Sequence, residues 1–450
     1  MARTTGKILI TGMGAVAPVG VGVASYIAAL REGRSGVRRL TIAEAGTRIK
    51  STVAADVTRS LFEPEHTMDA ADVARLPRLV PMAVAAAEEA LKQAGLAERT
   101  RLSHDQSGPT NLVDRSRSRR MGVILGTGAG GIDFTMDQAR AVYAEGGRGS
   151  LWTITNATHG NLAGELSIAL GLRGPSWCVS TGCASAMDAV GMAMTRLRAE
   201  QDEDAELDGF VVVGADAHVR WETLAGMELL RVISTHTWDD PATASRPFDT
   251  SRDGFVLGEG AWAVVIERED SWRRRVEAGT DVPPAPLGEL LGYAATCDAF
   301  HRVRPSPDME ESAHAMRMAV KDARLSMNDV ELIHYHGTAT KINDSAETLA
   351  VKLAFGTHAR TLRGTSVKSM IGHPQGACGL AALVATVGSL DAARPFVPPT
   401  INLHDPDIVG GCDLDYTPLR AADLDRQSRI AIINCLAFGA KNCALVVRAG

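Results

Sequence analysis

Four side chains in three glycine-flanked stretches could do chemistry in this 450-residue chain. Cys183 stands in "VSTGCASAMDAVG", between the apolar run "GPSWCVS" and the helical pattern "AMDAVGMAMTRLR". A thiol in the first turn of a helix gains from the partial positive charge there, which lowers its pKa and favours thiolate. Gly182, Ala184 and Ser185 leave room for a substrate carbonyl to reach it. His336 ends an apolar strand in "HYHGTATKINDSAE", beside Gly337, Thr338 and Thr340. Lys368 and His373 share the loop "VKSMIGHPQGACG". Each alone has a plain structural reading, because a lone buried cysteine is most often an inert small hydrophobe. The two histidine sites together strengthen the nucleophilic reading of Cys183.

The other cysteines carry less. Cys178, Cys297, Cys412 and Cys443 read as small core residues. Seven scattered cysteines with no C-x-x-C pair suit a reducing compartment and exclude a disulfide framework or structural zinc. His334 and His336 point to one face of a strand, but no third ligand sits at a convincing spacing, so no metal is expected.

Composition is that of a soluble globular protein, 45% hydrophobic and 22% charged. A net charge of −6 argues against general nucleic-acid binding. The basic runs "RSRSRR" (115–120) and "RRR" (273–275) read as solvated loop charge, with docking of an acidic partner as the alternative. Glycines and Pro18 interrupt the apolar N-terminal run "ILITGMGAVAPVGVGVA", which reads as strand then turn rather than a signal peptide. No stretch approaches 18 uninterrupted apolar residues, so no membrane span and a cytoplasmic location are expected.

The elements that must position these residues alternate. Strand-like runs ("KILITGMG", "MGVILG", "DGFVVVGAD", "AWAVVIER") alternate with helical patterns such as 81–96 and "NLAGELSIAL". After "EAGTDVPPAPLG" the order starts again, which predicts an internally duplicated α/β fold with mainly parallel sheets, divided into 1–279 and 280–450. The polar stretch 97–120 reads as a surface insertion. Two turns, "TGMGAVA" and "LGTGAGG", imitate a dinucleotide loop, yet neither is followed by the acidic residue that would hold a ribose. Nucleotide binding is therefore not expected.

"STGCASAMDA", "HGTAT" and "KSMIGH" resemble the Cys–His–His set, plus lysine, of the β-ketoacyl-acyl-carrier-protein synthases, condensing enzymes of the thiolase-like superfamily. "RPFDTSRDGFVLGEGA", "VPPTINL", "CDLDY" and the closing "AFGAKN" continue the match in order, over essentially the whole chain. The resemblance implies a five-layered α-β-α-β-α fold from two duplicated halves, almost always dimeric. It implies a ping-pong decarboxylative Claisen condensation, with Cys183 holding the acyl group as a thioester. His336 and His373 would donate hydrogen bonds to the malonyl thioester oxygen, and Lys368, with Glu347 its partner, would support them. The N–H groups of Cys183 and Phe438 would form an oxyanion hole, Phe438 would gate the acyl pocket, and Thr338 and Thr340 would bind the phosphopantetheine arm.

No cofactor is implied, since substrates arrive on an acyl carrier protein. The implied partners are that carrier and either an identical chain or a chain-length-factor-like paralogue. Arg75 and Arg78 are candidate docking charges for the acidic carrier. Two departures stand out. The usual "GFGGTN" is here Ala437-Phe438-Gly439-Ala440-Lys441-Asn442, and Ala129 replaces a larger residue at the acyl-pocket floor, which suggests a roomier pocket. Type II polyketide and fatty-acid elongation both fit, with a lean to polyketides. A thiolase using Cys435 or Cys443 as base, and a non-catalytic pocket-forming subunit, are the competing readings.

Overall fold

The computed structural model describes residues 6–41, 49–97, 115–199, 207–279, 285–425 and 429–450. Ten strands carry the fold. β1 (Ile8–Ala17), β2 (Met121–Gly126), β3 (Ser176–Val179), β4 (Gly209–Asp216) and β5 (Gly260–Arg268) precede β6 (Gly288–Cys297), β7 (Leu332–His334), β8 (Arg363–Thr365), β9 (Ile430–Ala437) and β10 (Lys441–Ala449). They lie in the order β8-β7-β9-β10-β6-β1-β5-β4-β2-β3. The seam is β1–β6, where Ile8 pairs with Leu290.

From that seam outward each half repeats one pattern: two antiparallel pairings, then two parallel ones. The chain builds the same topology twice. The expectation of mainly parallel sheets is corrected, since half the pairings in each half are antiparallel. β9 and β10 are joined by residues 438–440 alone, and so short a link returns the chain antiparallel.

Among the helices that cover the strands are α1 (Val23–Glu32), α2 (Leu79–Gln93), α3 (His159–Leu170), α4 (Ser185–Ala199), α5 (Glu310–Asp322), α6 (Lys341–Phe355) and α7 (Cys378–Asp391). Strand alternation sorts the side chains into three apolar cores. On β4, Phe210 and Val212 face the central core, while Val211 and Val213 face α2 and α3. On β10, Leu445 and Val447 face the same central core, while Ala444 and Val446 face α5 and α6. α4 and α7 fill the centre between both half-sheets, and α7 is buried on nearly every side, as its apolar sequence requires. The result is five layers, α-β-α-β-α.

Gly12 and Gly14, read from the sequence as a turn, lie inside β1, which runs unbroken through them apart from an irregularity between Ile10 and Gly12. Their missing side chains let α2 press on the strand: a Cβ would fall 2.0 Å from the Ala90 oxygen at Gly12 and 1.8 Å from the Ala86 oxygen at Gly14. The second imitation turn is real, but its donors are used internally. Thr127 Oγ1 (2.7 Å), Gly128 N and Ala129 N (2.9 Å) all donate to the buried Asp216 carboxylate. Most of the polar insertion and part of the Pro-containing segment lie outside the described residues. Among the described residues no helix is long and apolar enough to cross a membrane.

Candidate active site

Three turns at the ends of central elements converge. After β3 the chain turns through Gly182 (φ 68°) into a short 3₁₀ turn, Gly182–Ala184, that runs directly into α4. Ser185 Oγ accepts from Thr181 N (2.9 Å) and donates to Gly182 O (2.6 Å), which fixes Cys183 at the head of the helix. After β7 the chain turns through Gly337 (φ 40°), and α6 holds this turn with two carboxylates spaced i, i+3. Asp344 takes Thr338 N (3.0 Å), while Glu347 takes His336 N (2.6 Å) and Gly337 N (2.8 Å). His373 follows Gly372 (φ 64°), and its backbone pairs with Val256 O (2.7 Å) and Gly258 N (3.1 Å).

These turns bring Cys183, His336 and His373 together, with one donor atom of each within 4.8 Å of the others. The imidazoles stand nearly perpendicular, ring centres 5.1 Å apart. All three line a cavity of about 550 Å³, with Thr338, Thr340 and Phe438 along its wall. Thr340 also caps α6 through Asn343 N (3.2 Å).

Burial governs the electrostatics. The Cys183 thiol is pushed up to about 12, by burial first and then Cys378, against the opposing pull of Lys368 and the Phe438 N–H. The thiol therefore rests protonated, which corrects the expectation of a lowered pKa: desolvation in the central core outweighs the helix terminus. Burial, with the Lys368 ammonium second, holds both His336 and His373 well below the ordinary histidine value. They rest as neutral imidazoles, each with one N–H to give. His334, in contrast, bonds Thr386 Oγ1 (3.1 Å) inside the core and is a satisfied structural histidine.

Several expected placements differ. Glu347 does not pair with Lys368; its oxygens are occupied by two backbone N–H groups and Asn434 Nδ2 (2.7 Å), and burial raises it to about 7. Ala129 is not among the residues lining the cavity, because its loop is folded onto Asp216. Arg78 pairs with buried Glu259 (2.8 Å), and Arg75 with Asp72, so neither marks the cavity mouth. The cations there are Arg231, Arg304, Lys341 and Lys441. Cys297 is exposed rather than a core residue.

Sequence reasoning also missed Gln375, whose Oε1 lies 3.7 Å from the Cys183 sulfur, and Cys378, which donates to the Cys183 carbonyl (3.2 Å). Their place in "GHPQGACG", from His373 to the first residue of α7, was the available signal. A second donor group, His336 with Cys378 and Cys435, also falls within 4.8 Å. It shares His336 with the first, and the nearby Lys368 charge opposes a cation at either.

Residues 5–271 match the family "Beta-ketoacyl synthase, N-terminal domain", and residues 287–404 match "Beta-ketoacyl synthase, C-terminal domain". A 3-oxoacyl-[acyl-carrier-protein] synthase 2 of Synechocystis is 34% identical, covering 98% of both chains. Among solved structures, a type II polyketide acyl-carrier protein in complex with its ketosynthase, bound to the hexaketide, is similar at TM-score 0.82 and 26% identity. That match covers 99% of this chain and 100% of the other. The ishigamide ketosynthase/chain length factor is similar at TM-score 0.82 and 28% identity, with the same coverage.

Proposed function

This chain belongs to the β-ketoacyl synthase family, and on that premise we propose how its site works as a ketosynthase. The enzyme joins an acyl group to a malonyl unit on an acyl carrier protein by decarboxylative Claisen condensation, in fatty-acid or polyketide chain elongation. The carrying observation is the convergence of Cys183, His336 and His373 at one cavity.

In the first half-reaction Cys183 Sγ attacks the carrier-bound thioester. The sulfur gives up its proton as it attacks, and the departing phosphopantetheine thiolate takes one up, so an acyl-cysteine and a free carrier thiol result. A neutral imidazole within reach moves that proton. In the second half-reaction the malonyl carboxylate leaves as CO2, and its bonding electrons pass into an enolate. His336 and His373 N–H groups hold the enolate oxygen, and Lys368 supports this charge electrostatically without spending a proton. The enolate carbon attacks the acyl-cysteine, the oxyanion rests on the N–H groups of Cys183 and Phe438, and collapse expels the cysteine sulfur, which takes up one proton from water. The set needs no resident cofactor or metal.

Thr338 and Thr340, which line the wall, would bond the amides of a phosphopantetheine arm, and the cations at the mouth suit its phosphate and an acidic carrier. A second chain of the same fold, identical or paralogous, covers the open edge of β3. Strand β3 ends the sheet, α3 packs on it, and Ile168 of α3 is 62% exposed. Structures similar to this chain include both a carrier-bound ketosynthase and a ketosynthase with a chain length factor.

An extension assay with malonyl-carrier protein tests the division of labour. His373→Ala retains acyl loading on Cys183 but loses condensation by about 100-fold or more, as for removal of one oxyanion donor. Equal loss of loading and condensation would contradict the assigned role.

A further inference from the structure

Behind the reacting groups lies a tier of thiols that the condensation does not itself use. Cys378 Sγ and Cys435 Sγ are 3.9 Å apart, and each lies 3.2 Å from the Cys183 carbonyl oxygen. Cys435 Sγ is also 3.5 Å from His336 Nδ1. All are buried, Cys378 at 3% and Cys435 at 1% exposure.

The hydrogens can be counted. Both thiols are held well above their ordinary range and carry one S–H each. His336 is neutral and carries one N–H. The oxygen and nitrogen acceptors facing this tier are the Cys183 carbonyl and His336 Nδ1; the Cys443 sulfur also bonds Cys435, and a thiol sulfur is the weaker acceptor. Cys435 reaches both, whereas Cys378 is bonded to the Cys183 carbonyl and to Cys435. One arrangement gives each acceptor its own donor: Cys378 S–H on the Cys183 carbonyl, and Cys435 S–H on His336 Nδ1. The imidazole proton must then sit on Nε2, the nitrogen left for the cavity side. If Nδ1 carried the proton instead, it would point at Cys435, and Nε2 would face the enolate as a lone pair, repelling it.

We propose that Cys435 is a positioning residue whose S–H hydrogen bond holds His336 in the Nε2–H tautomer, so that its N–H is directed at the substrate oxygen. This rests on the role given to His336 above. Cys435 thus acts through His336 and not as a base of its own, in contrast to the thiolase reading of a second catalytic cysteine.

The test compares Cys435→Ser, which keeps a donor, with Cys435→Ala, which removes it. Cys435→Ala lowers kcat for condensation about tenfold or more, on the scale of a compromised oxyanion donor, while acyl loading of Cys183 and KM for malonyl-carrier protein stay within about twofold. Cys435→Ser restores kcat to within about threefold of the parent. Nitrogen-15 shifts of His336 in the intact protein report the tautomer directly, with Nε2 protonated in the parent and in Cys435→Ser. A parent protein showing protonated Nδ1 would overturn the proposal, as would a serine variant as impaired as the alanine variant, or an alanine variant with unchanged kcat. If the parent carried the Nε2–H tautomer yet gave no malonyl-dependent extension, the functional reading would fail and not the role of Cys435.

Discussion

At the scale of single residues, the thiol and both imidazoles are uncharged at rest and acquire charge only during reaction. Around the protonated thiol and the two neutral imidazoles, Lys368 and the Asp216 carboxylate act on Cys183 with opposite sign. The sign of the pH dependence follows. Cys183 has its pKa raised to about 12, so its thiolate fraction grows with pH throughout the accessible range. Alkylation of Cys183 by iodoacetamide, followed by peptide mass spectrometry, should accelerate about tenfold per pH unit up to about pH 9 with no plateau. A plateau near neutrality would show a thiolate already formed and contradict this account. That Cys183, His336 and His373 belong together was legible because residue type carries their chemistry, and the fold brings them to one place. Their pKa directions were not, since burial depends on the central core that α4 and α7 assemble from distant segments.

At the scale of elements, contact between strand and helix decides which substitutions are tolerated. Gly14→Ala puts a methyl against the backbone of α2, where a Cβ would lie 1.8 Å from the Ala86 oxygen. It should cost about 2–3 kcal/mol in denaturant unfolding. Gly226→Ala, inside the helix Trp221–Leu229 with nothing within 4 Å of its Cβ, should instead stabilise by about 0.5–1 kcal/mol. Equal effects at the two sites would contradict the packing described. The strands and helices themselves were legible as alternating apolar runs. The course of β1 through two glycines was not, because local turn chemistry and close helix packing call for the same residue. Nor was the Glu347 partnership: only α6 lying behind the His336 turn shows that its carboxylate serves backbone N–H groups and not Lys368.

At the scale of the whole molecule, a duplicated half brings the thiol from the first repeat to the histidines of the second, more than 150 residues away in sequence. The repeat was legible as a restart of the strand–helix order. Its antiparallel half was hidden, because pairing sense is set by connections between strands, and the β9–β10 link shows it only once both strand ends are known. The open β3 edge beside exposed Ile168 predicts a dimer, and Ile168→Glu should shift the molar mass in light scattering toward a single chain. A monomeric parent, or a variant of unchanged mass, would contradict that interface. The central claim is that Cys183 carries the growing chain between two half-reactions, and intact-protein mass spectrometry tests it most directly. Incubation with acyl-carrier protein should add one acyl mass, mapped to Cys183 and absent in Cys183→Ala. Malonyl-carrier protein should then remove that mass as 3-oxoacyl-carrier protein is formed. An acyl mass that never forms on Cys183, or that malonyl-carrier protein leaves in place, would contradict the account.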